Sequence, residues 1–429
     1  MKSKSFTCNV PKLRFPEFLN DGEWEEKKLE LLSSKISDGI HTTPNYNDSG
    51  DYYFINGNNL VNGVIVIDEK TKRVSKDEYE KHKRDLSQET ILLSINGTIG
   101  NISIYNNEKV ILGKSACYIN INNQKANKQF IINTLKTNKI QNFFNLELTG
   151  STIKNLSLKT IKNTLIDLPR NPKEQQKIAE CLSSLDALIL AHSSKVEALK
   201  QHKKALMQQL FPIDGETTPR LRFPEFQNDG EWEEKKLIDY KDLVHGDGDW
   251  ILSNDITDNG QIKIIQLASI GFGQYIEKSL KAISKETFKN LKCKSIEKGD
   301  LLINRMVDGC LNSCIFNLDG NYITSVDVCW IRQNEQIVNC FFMSLLSTPY
   351  SQKKLLSLAS GGGRIRISKK NLFESFTFLI PSKQEQQKIA ECLSSLDELI
   401  LAQSSKVEAL KQHKKALMQQ LFPTCKVTS

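Results

Sequence analysis

The chain carries two long stretches of its own sequence twice, and this internal repeat limits its fold more than any other feature. The segment PKLRFPEFLNDGEWEEKKL at 11–29 returns as PRLRFPEFQNDGEWEEKKL at 219–237. The segment EQQKIAECLSSLDALILAHSSKVEALKQHKKALMQQLFP at 174–212 returns at 385–423 with only two differences. Two nearly fixed frames therefore hold two variable inserts, an arrangement that lets one scaffold meet two different targets.

The inserts, at about 30–170 and 238–380, barely resemble one another. Each contains short apolar runs separated by turns rich in Gly and Asn, a pattern typical of strands. The runs are YYFI at 52–55, ILLSI at 91–95, IKII at 262–265 and DLLIN at 300–304. We therefore predict that each insert is a mixed α/β domain of about 140 residues.

The longer repeated segment predicts a helix with one apolar seam. Its apolar residues alternate four and three positions apart, as the a and d positions of a coiled coil do. The residues expected to pair are Ile178, Leu182, Leu185, Ile189, Val196 and Leu199 in the first copy, and Ile389, Leu393, Leu396, Ile400, Val407 and Leu410 in the second.

Four polar residues share the seam, and we interpret them as layers that set the register rather than as ligands. They are His192, Lys203, Gln403 and Lys414. Two such helices in one chain are best satisfied by packing on each other. Pairing between two separate chains is the alternative, because the pattern of seam residues does not show whether the partner helix belongs to the same chain.

Charge and composition leave several classes of protein open. The formal net charge of +8 and a pI near 8.8 fit a polyanionic partner without demanding one. No apolar run suits a signal peptide or a membrane span, so we expect a cytoplasmic protein without membrane contact. The ten cysteines are dispersed. We predict reduced, packed thiols, including Cys310, Cys314 and Cys329, and no metal site.

The inserts share two glycine-bearing landmarks. The stretch 89–105 corresponds to 299–316, and GSTIKNLS at 150–157 corresponds to GGGRIRIS at 361–368. Glycine lets the backbone approach a phosphate, and Arg or Asn forms bidentate bonds with guanine or adenine. Our candidate DNA-binding residues are Asn96, Gly97, Thr98, Ser151, Thr152, Lys154, Asn155, Asn304, Arg305, Gly362, Gly363, Arg364 and Arg366.

Two basic features near these landmarks have an ordinary explanation as well. Arg364 and Arg366 alternate with isoleucines, so we expect both on one face of an extended segment, either reading bases or simply solvated. Lysine-rich stretches at 75–84 and 284–294 are predicted helices with solvated faces. Contact with DNA phosphates is their alternative role.

Taken together, the two unlike domains, the twin EQQKIAECLSSLD helices and the LLINR and GSTIKNLSL landmarks resemble the specificity subunits of type I restriction-modification systems. The resemblance covers essentially the whole chain. It implies that each domain reads one half of a bipartite double-stranded DNA site, while the helices set the spacing and dock two methyltransferase subunits. Restriction subunits would join the complex, and S-adenosylmethionine, ATP and Mg would bind to these partners rather than to this chain.

On this basis we expect an α/β (α+β) fold with a pseudo-twofold internal repeat, in which the two long helices pair as an antiparallel coiled coil. The expected domains are a first target-recognition domain at 1–170, a central helix at 171–212, a second recognition domain at 213–380, and a helix with its tail at 381–429. ISDGIHTTPNY at 36–46 is similar to the start of such domains, whereas the second insert has DGDWILSND at 246–254. The two domains are therefore expected to read different bases.

The chain lacks the motifs that other functions would require. A methyltransferase would show a DPPY or NPPF tetrad, and the chain contains no Pro-Pro. Gly113-Lys114-Ser115 resembles the end of a phosphate-binding loop, but Glu108 stands where the first glycine is required. A catalytic histidine is not expected. A scaffold whose helices bridge partners is the main alternative, and a single-chain methyltransferase or endonuclease is a weaker one.

Overall fold

The computed structural model describes residues 9–150 and 154–423. These residues form two compact units, each assembled from separate parts of the chain. Unit 1 contains the described residues up to His192 together with those from Lys406 onward, and unit 2 contains Ser193–Ser405. None of the described helices is long and apolar enough to cross a membrane.

Unit 1 contains eleven described strands and four short helices, followed by the start of a long helix. The strands are β1 Glu25–Lys28, β2 Ser33–Asp38, β3 Tyr52–Ile55, β4 Leu60–Val61, β5 Val64–Ile65, β6 Arg73–Val74, β7 Thr90–Ser94, β8 Ile102–Ile104, β9 Val110–Leu112, β10 Ala116–Ile121 and β11 Leu165–Leu168. The helices are α1 Lys76–His82, α2 Lys128–Leu135, α3 Asn138–Leu146, α4 Leu158–Asn163 and α5 Pro172–Leu210.

The main sheet of unit 1 is antiparallel, in the order β2-β10-β7-β8. All residues of its central strands β7 and β10 are buried, which explains their nearly unbroken apolar sequences. A second sheet, β6-β3-β9, pairs β3 with β9 in parallel. A short two-stranded sheet, β1-β11, joins the first repeated segment to the strand that precedes α5.

Unit 2 repeats this arrangement. Its strands are β12 Glu233–Lys236, β13 His245–Asp247, β14 Ile262–Ile265, β15 Lys281–Ile283, β16 Ser295–Ile296, β17 Leu301–Asp308, β18 Cys310–Ile315, β19 Tyr322–Thr324, β20 Val328–Ile331 and β21 Thr377–Ile380. Its helices are α6 Lys285–Asn290, α7 Asn339–Leu346, α8 Pro349–Ser357 and the start of α9 Lys383–Leu421.

The sheets of unit 2 follow the orders β13-β20-β17-β18, β15-β14-β19-β16 and β12-β21. The mixed α/β fold with an internal repeat, predicted from the sequence, is therefore confirmed. Each predicted apolar run forms a strand, as β3, β7, β14 and β17. The two lysine-rich stretches contain the short helices α1 and α6, each capped by a serine hydroxyl that accepts from the backbone three residues on.

The long helices α5 and α9 each contain 39 residues and take part in both units. Within unit 1, Lys414 of α9 binds both carboxylate oxygens of Asp186 of α5 at 2.6 Å. Within unit 2, Lys203 of α5 binds Asp397 of α9 at 2.6 and 2.7 Å. The seam lysines thus join opposite ends of the two helices in each unit, which is the pairing expected of antiparallel helices. None of the twelve predicted seam residues is fully exposed.

Each unit completes its core with the phenylalanine that follows the end of one long helix. In unit 1 Phe422, just after α9, packs against Trp24 and Phe130, with ring centroids 6.2 and 5.4 Å away. In unit 2 Phe211, just after α5, packs in the same way against Trp232 and Phe341, at 6.1 and 5.3 Å. The repeated LFP sequence therefore serves two equivalent cores. Proline after each phenylalanine prevents the helix from continuing.

A buried ion pair fixes the start of each long helix to its domain. Glu174, in the first turn of α5, accepts hydrogen bonds at 2.7 Å from Nε and Nη2 of Arg14 and one at 3.3 Å from the Trp24 indole. Arg222 binds Glu385 of α9 in the same bidentate geometry, at 2.8 and 2.7 Å. The side chains of both glutamates are at most 1% exposed.

Removing one partner of this pair will leave an unpaired buried carboxylate. We expect Arg14→Ala to destabilise unit 1 by about 3–5 kcal/mol, with an equal effect of Arg222→Ala on unit 2. The measurement is chemical denaturation of the whole chain followed by hydrogen exchange to separate the two units. Lys177→Ala, which removes an exposed pair with Glu17, is the control and should change little. Equal effects of Arg14→Ala and Lys177→Ala would contradict the role of the buried pair.

Candidate nucleic-acid interface

In unit 1 the loop after β7 and the loop before α4 lie side by side. Asn96 forms an isolated β-bridge with Asn155, and the Leu156 N–H donates to the Ile95 carbonyl at 2.9 Å. Thr149 and Asn155 exchange two more backbone hydrogen bonds, at 3.0 and 2.8 Å. The two glycine loops that the sequence singled out are therefore joined into one surface.

Unit 2 repeats this pairing with different side chains. Met306 forms a β-bridge with Arg366, and the Ile367 N–H donates to the Arg305 carbonyl at 2.9 Å. Ser360 and Arg366 exchange two backbone hydrogen bonds of 3.0 Å. The backbone frame is the same in both units, and an arginine of unit 2 stands where unit 1 has Asn155.

The backbone hydrogen bonds also determine which residues correspond between the loop after β7 in unit 1 and its equivalent in unit 2. The Ile95 N–H donates to the Ser115 carbonyl, and the Arg305 N–H donates to the Asp327 carbonyl. Ile95 and Arg305 are thus equivalent, so Asn96 corresponds to Met306. The loops Asn96–Gly100 and Asn304–Gly309 therefore do not begin at equivalent residues, because the glycines alone do not fix the register of a loop.

The candidate residues of unit 1 differ in exposure. Gly97, Thr98 and Lys154 are exposed, and Asn96 and Asn155 are half-buried. Ser151 and Thr152 lie outside the described residues. The Thr98 hydroxyl donates to the Gly57 carbonyl at 3.2 Å, so the exposed loop is held against the start of the β4–β5 hairpin. Lys154 places an exposed positive charge next to these loops.

Two candidates of unit 2 are buried instead of presented to solvent. Arg305 is 8% exposed, and its guanidinium lies 3.4 Å from both Asp247 and Asp327. Asn304 is also 8% exposed, and its side-chain oxygen accepts from the Met306 N–H at 2.9 Å. In this arrangement both side chains hold the loop in place. Their contact with DNA remains a prediction that would require them to move.

Arg364 and Arg366 are exposed, but they do not share one extended segment. Residues 362–364 form a bend, and only Arg366 is extended, in its bridge. Gly361 makes the turn possible, because its φ is +147° and a Cβ there would lie 2.1 Å from the Arg364 carbonyl oxygen. Arg366 is also anchored by Asp327 at 3.3 Å. The expectation of one shared extended face is therefore wrong.

Exposed apolar side chains near the paired loops were not singled out in the sequence. Phe272 is 49% exposed, and the next residue, Gly273, donates its N–H to the Ser313 carbonyl of β18 at 2.9 Å. Trp250 is 72% exposed and lies three residues after Asp247, which contacts Arg305. Apolar groups of this kind can contact the methyl group of thymine. Sequence gives little signal for them, because an exposed aromatic residue looks like a core residue.

A histidine and two cysteines, residue types that often act in catalysis, are packed against other residues in unit 2. His245 packs on Phe373 with ring centroids 4.3 Å apart, and burial together with the charge of Lys369 lowers the pKa of its imidazole. Burial raises the pKa of Cys314 and Cys329 to about 12, so these thiols stay protonated. The described cysteines are free. No group of three or more His, Cys, Asp or Glu residues among the described ones is placed to hold a metal ion.

Comparison with known proteins places these observations in one family. The family model described as "Type I restriction modification DNA specificity domain" matches residues 21–201 and 229–412. The type I restriction enzyme MjaVIII specificity subunit of Methanocaldococcus jannaschii is 26% identical over 346 residues, covering 79% of this chain and 79% of that protein. The EcoBI specificity subunit of Escherichia coli is 27% identical over 330 residues, covering 72% and 66%.

The fold is also found in a solved structure. The S subunit of the type I restriction-modification system from M. genitalium superposes with a TM-score of 0.58 at 17% identity. The superposition covers 97% of this chain and 100% of that one. The repeated domains with long helices are therefore an arrangement already seen in a specificity subunit.

The exposed arginines allow a test of base reading. We expect Arg366→Ala to cost about 1–3 kcal/mol at one base pair if the guanidinium reads guanine, with a similar effect of Arg364→Ala at another position. The measurement is selection of bound duplexes from a randomised pool. Arg366→Lys is the matched control, because it keeps the charge but loses the bidentate geometry. A uniform loss of affinity for every sequence would reassign these residues to phosphate contact.

Proposed function

This chain belongs to the family of type I restriction-modification DNA specificity proteins, and on that premise we propose that its two units read the two halves of one split DNA sequence. The observation that carries the proposal is the pair of joined glycine loops, which occurs once in each unit on the same backbone frame. Asn155 in unit 1 corresponds to Arg366 in unit 2. Because asparagine pairs best with adenine and arginine with guanine, the two half-sites differ in sequence.

The exposed groups divide into those that read bases and those that add affinity. Arg366 is held by Asp327 and by its backbone bridge, so its guanidinium reaches a base edge with little loss of freedom. Lys154 and the net charge of +8 supply the phosphate contacts, which do not depend on sequence and weaken with salt. The apolar Phe272 and Trp250 add contacts with thymine methyl groups.

The long helices set the gap between the half-sites in this proposal. Each helix is continuous over 39 residues and belongs to both units. A helix rises about 1.5 Å per residue, so its length translates directly into a distance along DNA. The ion pairs Lys414–Asp186 and Lys203–Asp397 prevent the helices from sliding, because a shift of one turn would leave each lysine without its partner.

The helices also offer a repeated docking surface for two methyltransferase subunits. Leu188 and Leu190 of α5 are 48% and 68% exposed, and their repeat counterparts Leu399 and Leu401 of α9 are 56% and 68% exposed. The same exposed pair occurs once in each unit, which suits two identical partners. The chemistry then lies on those partners, with S-adenosylmethionine on the methyltransferase, and ATP and Mg on the restriction subunits.

The first test is to express this chain with its partner methyltransferase and to map N6-methyladenine in the host DNA by single-molecule sequencing. We expect one asymmetric split motif with a fixed gap.

Replacing residues 238–380 with the corresponding segment of a relative should change one half of the motif and leave the other half and the gap unchanged. An assembled complex that methylates no defined motif would instead favour a scaffold that only bridges partners.

The role of the helices is tested by lengthening both of them together. Seven residues inserted after His192 and after Ser405 preserve the heptad seam and add about 10 Å of helix. We expect the gap in the methylated motif to grow by about three base pairs, with both half-sites retained. Seven residues inserted at Gly215, in the loop after α5, are the control and should leave the gap unchanged. An unchanged gap in the lengthened variant would refute spacing by the helices.

A further inference from the structure

A lysine-rimmed cleft in unit 1 takes no part in the paired glycine loops. It lies between the last turns of α9 and the start of α3, and its volume is about 470 Å³. Its floor is apolar, formed by Met418, Phe422 and Pro423. A concave site of this size accommodates a few side chains or a small ligand.

Six lysines from three distant parts of the sequence line this cleft: Lys12, Lys136, Lys139, Lys411, Lys414 and Lys415. Lys139 is paired with Asp167 at 2.7 Å, and Lys414 is paired with Asp186. The other four form no ion pair with any described residue. The cleft therefore holds four lysine side chains that have no ion-pair partner among the described residues.

The positive charges of the lysines in the cleft repel one another. Lys136 is exposed at the rim, and partial desolvation by the walls of the cleft together with the nearby charge of Lys414 lowers its pKa, while Asp186 acts in the opposite direction. A lowered lysine pKa means that the positive charge is held at a cost in free energy. An anionic group bound among these lysines would remove that cost, so the electrostatics favour an acidic occupant.

Unit 2 has an equivalent cleft with a different rim. It has a volume of about 420 Å³ and the same apolar floor, formed by Met207, Phe211 and Pro212. The repeat counterparts of Lys136 and Lys139 are Ser347 and Tyr350. Lys353 at its rim is 3.5 Å from Asp214. The repeat thus keeps the apolar floor in both units, and Lys200, Lys203 and Lys204 of α5 repeat Lys411, Lys414 and Lys415 of α9. The lysines particular to unit 1 are therefore Lys136 and Lys139.

We propose that the cleft of unit 1 binds an acidic segment of a methyltransferase subunit, with an apolar side chain of that segment on the Met418–Pro423 floor. This inference rests on the proposed function. An apolar floor suits a protein segment better than a phosphate backbone, which has no apolar group to place there. The equivalent floor in unit 2 receives the second copy of the same subunit. The lysine rim makes the site of unit 1 the more salt-sensitive of the two.

The repeat provides a matched pair of variants. Lys411→Glu/Lys415→Glu reverses two charges at the cleft of unit 1, whereas Lys200→Glu/Lys204→Glu reverses their repeat counterparts at the equivalent positions of unit 2. Each full-length variant is mixed with the partner methyltransferase subunit, and the bound copies are counted by mass photometry across salt concentrations. Binding of random-sequence duplex DNA is measured in parallel. Circular dichroism melting checks that each variant is folded.

For Lys411→Glu/Lys415→Glu we expect one of the two copies to bind about tenfold more weakly at about 0.1 M salt. The difference should shrink at about 1 M salt, where charges are screened within about 3 Å. Lys200→Glu/Lys204→Glu should weaken the other copy much less, because unit 2 has Ser347 and Tyr350 in place of Lys136 and Lys139. Lys136→Glu, on a different element, should reproduce the loss.

Four results would overturn this inference. Unchanged assembly with weaker duplex binding would make the cleft a phosphate site, and unchanged assembly and duplex binding would leave it a solvated surface. An equal loss in the α5 control would show a general effect of charge. Failure of the unaltered chain to bind any methyltransferase subunit would overturn the proposed function, and this inference with it.

Discussion

The buried pair of an arginine in the first repeated segment and a glutamate in the first turn of the following long helix is the interaction on which each unit depends. Arg14 and Glu174 in unit 1, and Arg222 and Glu385 in unit 2, form the same bidentate contact away from water. Removing two charges from water is costly, and two parallel hydrogen bonds offset that cost only in one geometry. The pair therefore fixes where each helix starts and which way its seam faces.

Once the helix start is fixed, the remaining contacts of the frame follow. The next seam residues, such as Ile178 and Leu182, enter the core of unit 1, and the far end of the other helix closes that core with Phe422. Unit 2 uses Phe211 in the same place. Both helices must therefore carry the same residues at both ends. This requirement gives a physical reason for a frame that is repeated almost without change.

A fixed frame with two variable domains separates assembly from recognition. Substitutions on the paired loops, such as arginine for asparagine at 366 and 155, change the groups presented for reading without disturbing the buried pair or the seam. The proposed partner contacts lie on the frame, at the exposed leucines and the two clefts. A chain built in this way can acquire a new target while it keeps the same partners.

The sequence by itself determined the repeat, the two unlike α/β domains and the long helices with their seam, because these features rest on local periodicity and on identity between distant segments. It also identified the glycine loops, although not their register. Only the tertiary structure showed that the loops pair, that Arg305 is buried against two aspartates while Arg366 is exposed, and that Arg14 binds Glu174. The lysine cleft was equally hidden, since it combines residues near 12, 136 and 411. Such contacts join residues that are distant in the sequence, from 22 positions between Arg305 and Asp327 to 160 between Arg14 and Glu174. Their existence depends on which side chains share a buried or concave space once the chain has folded.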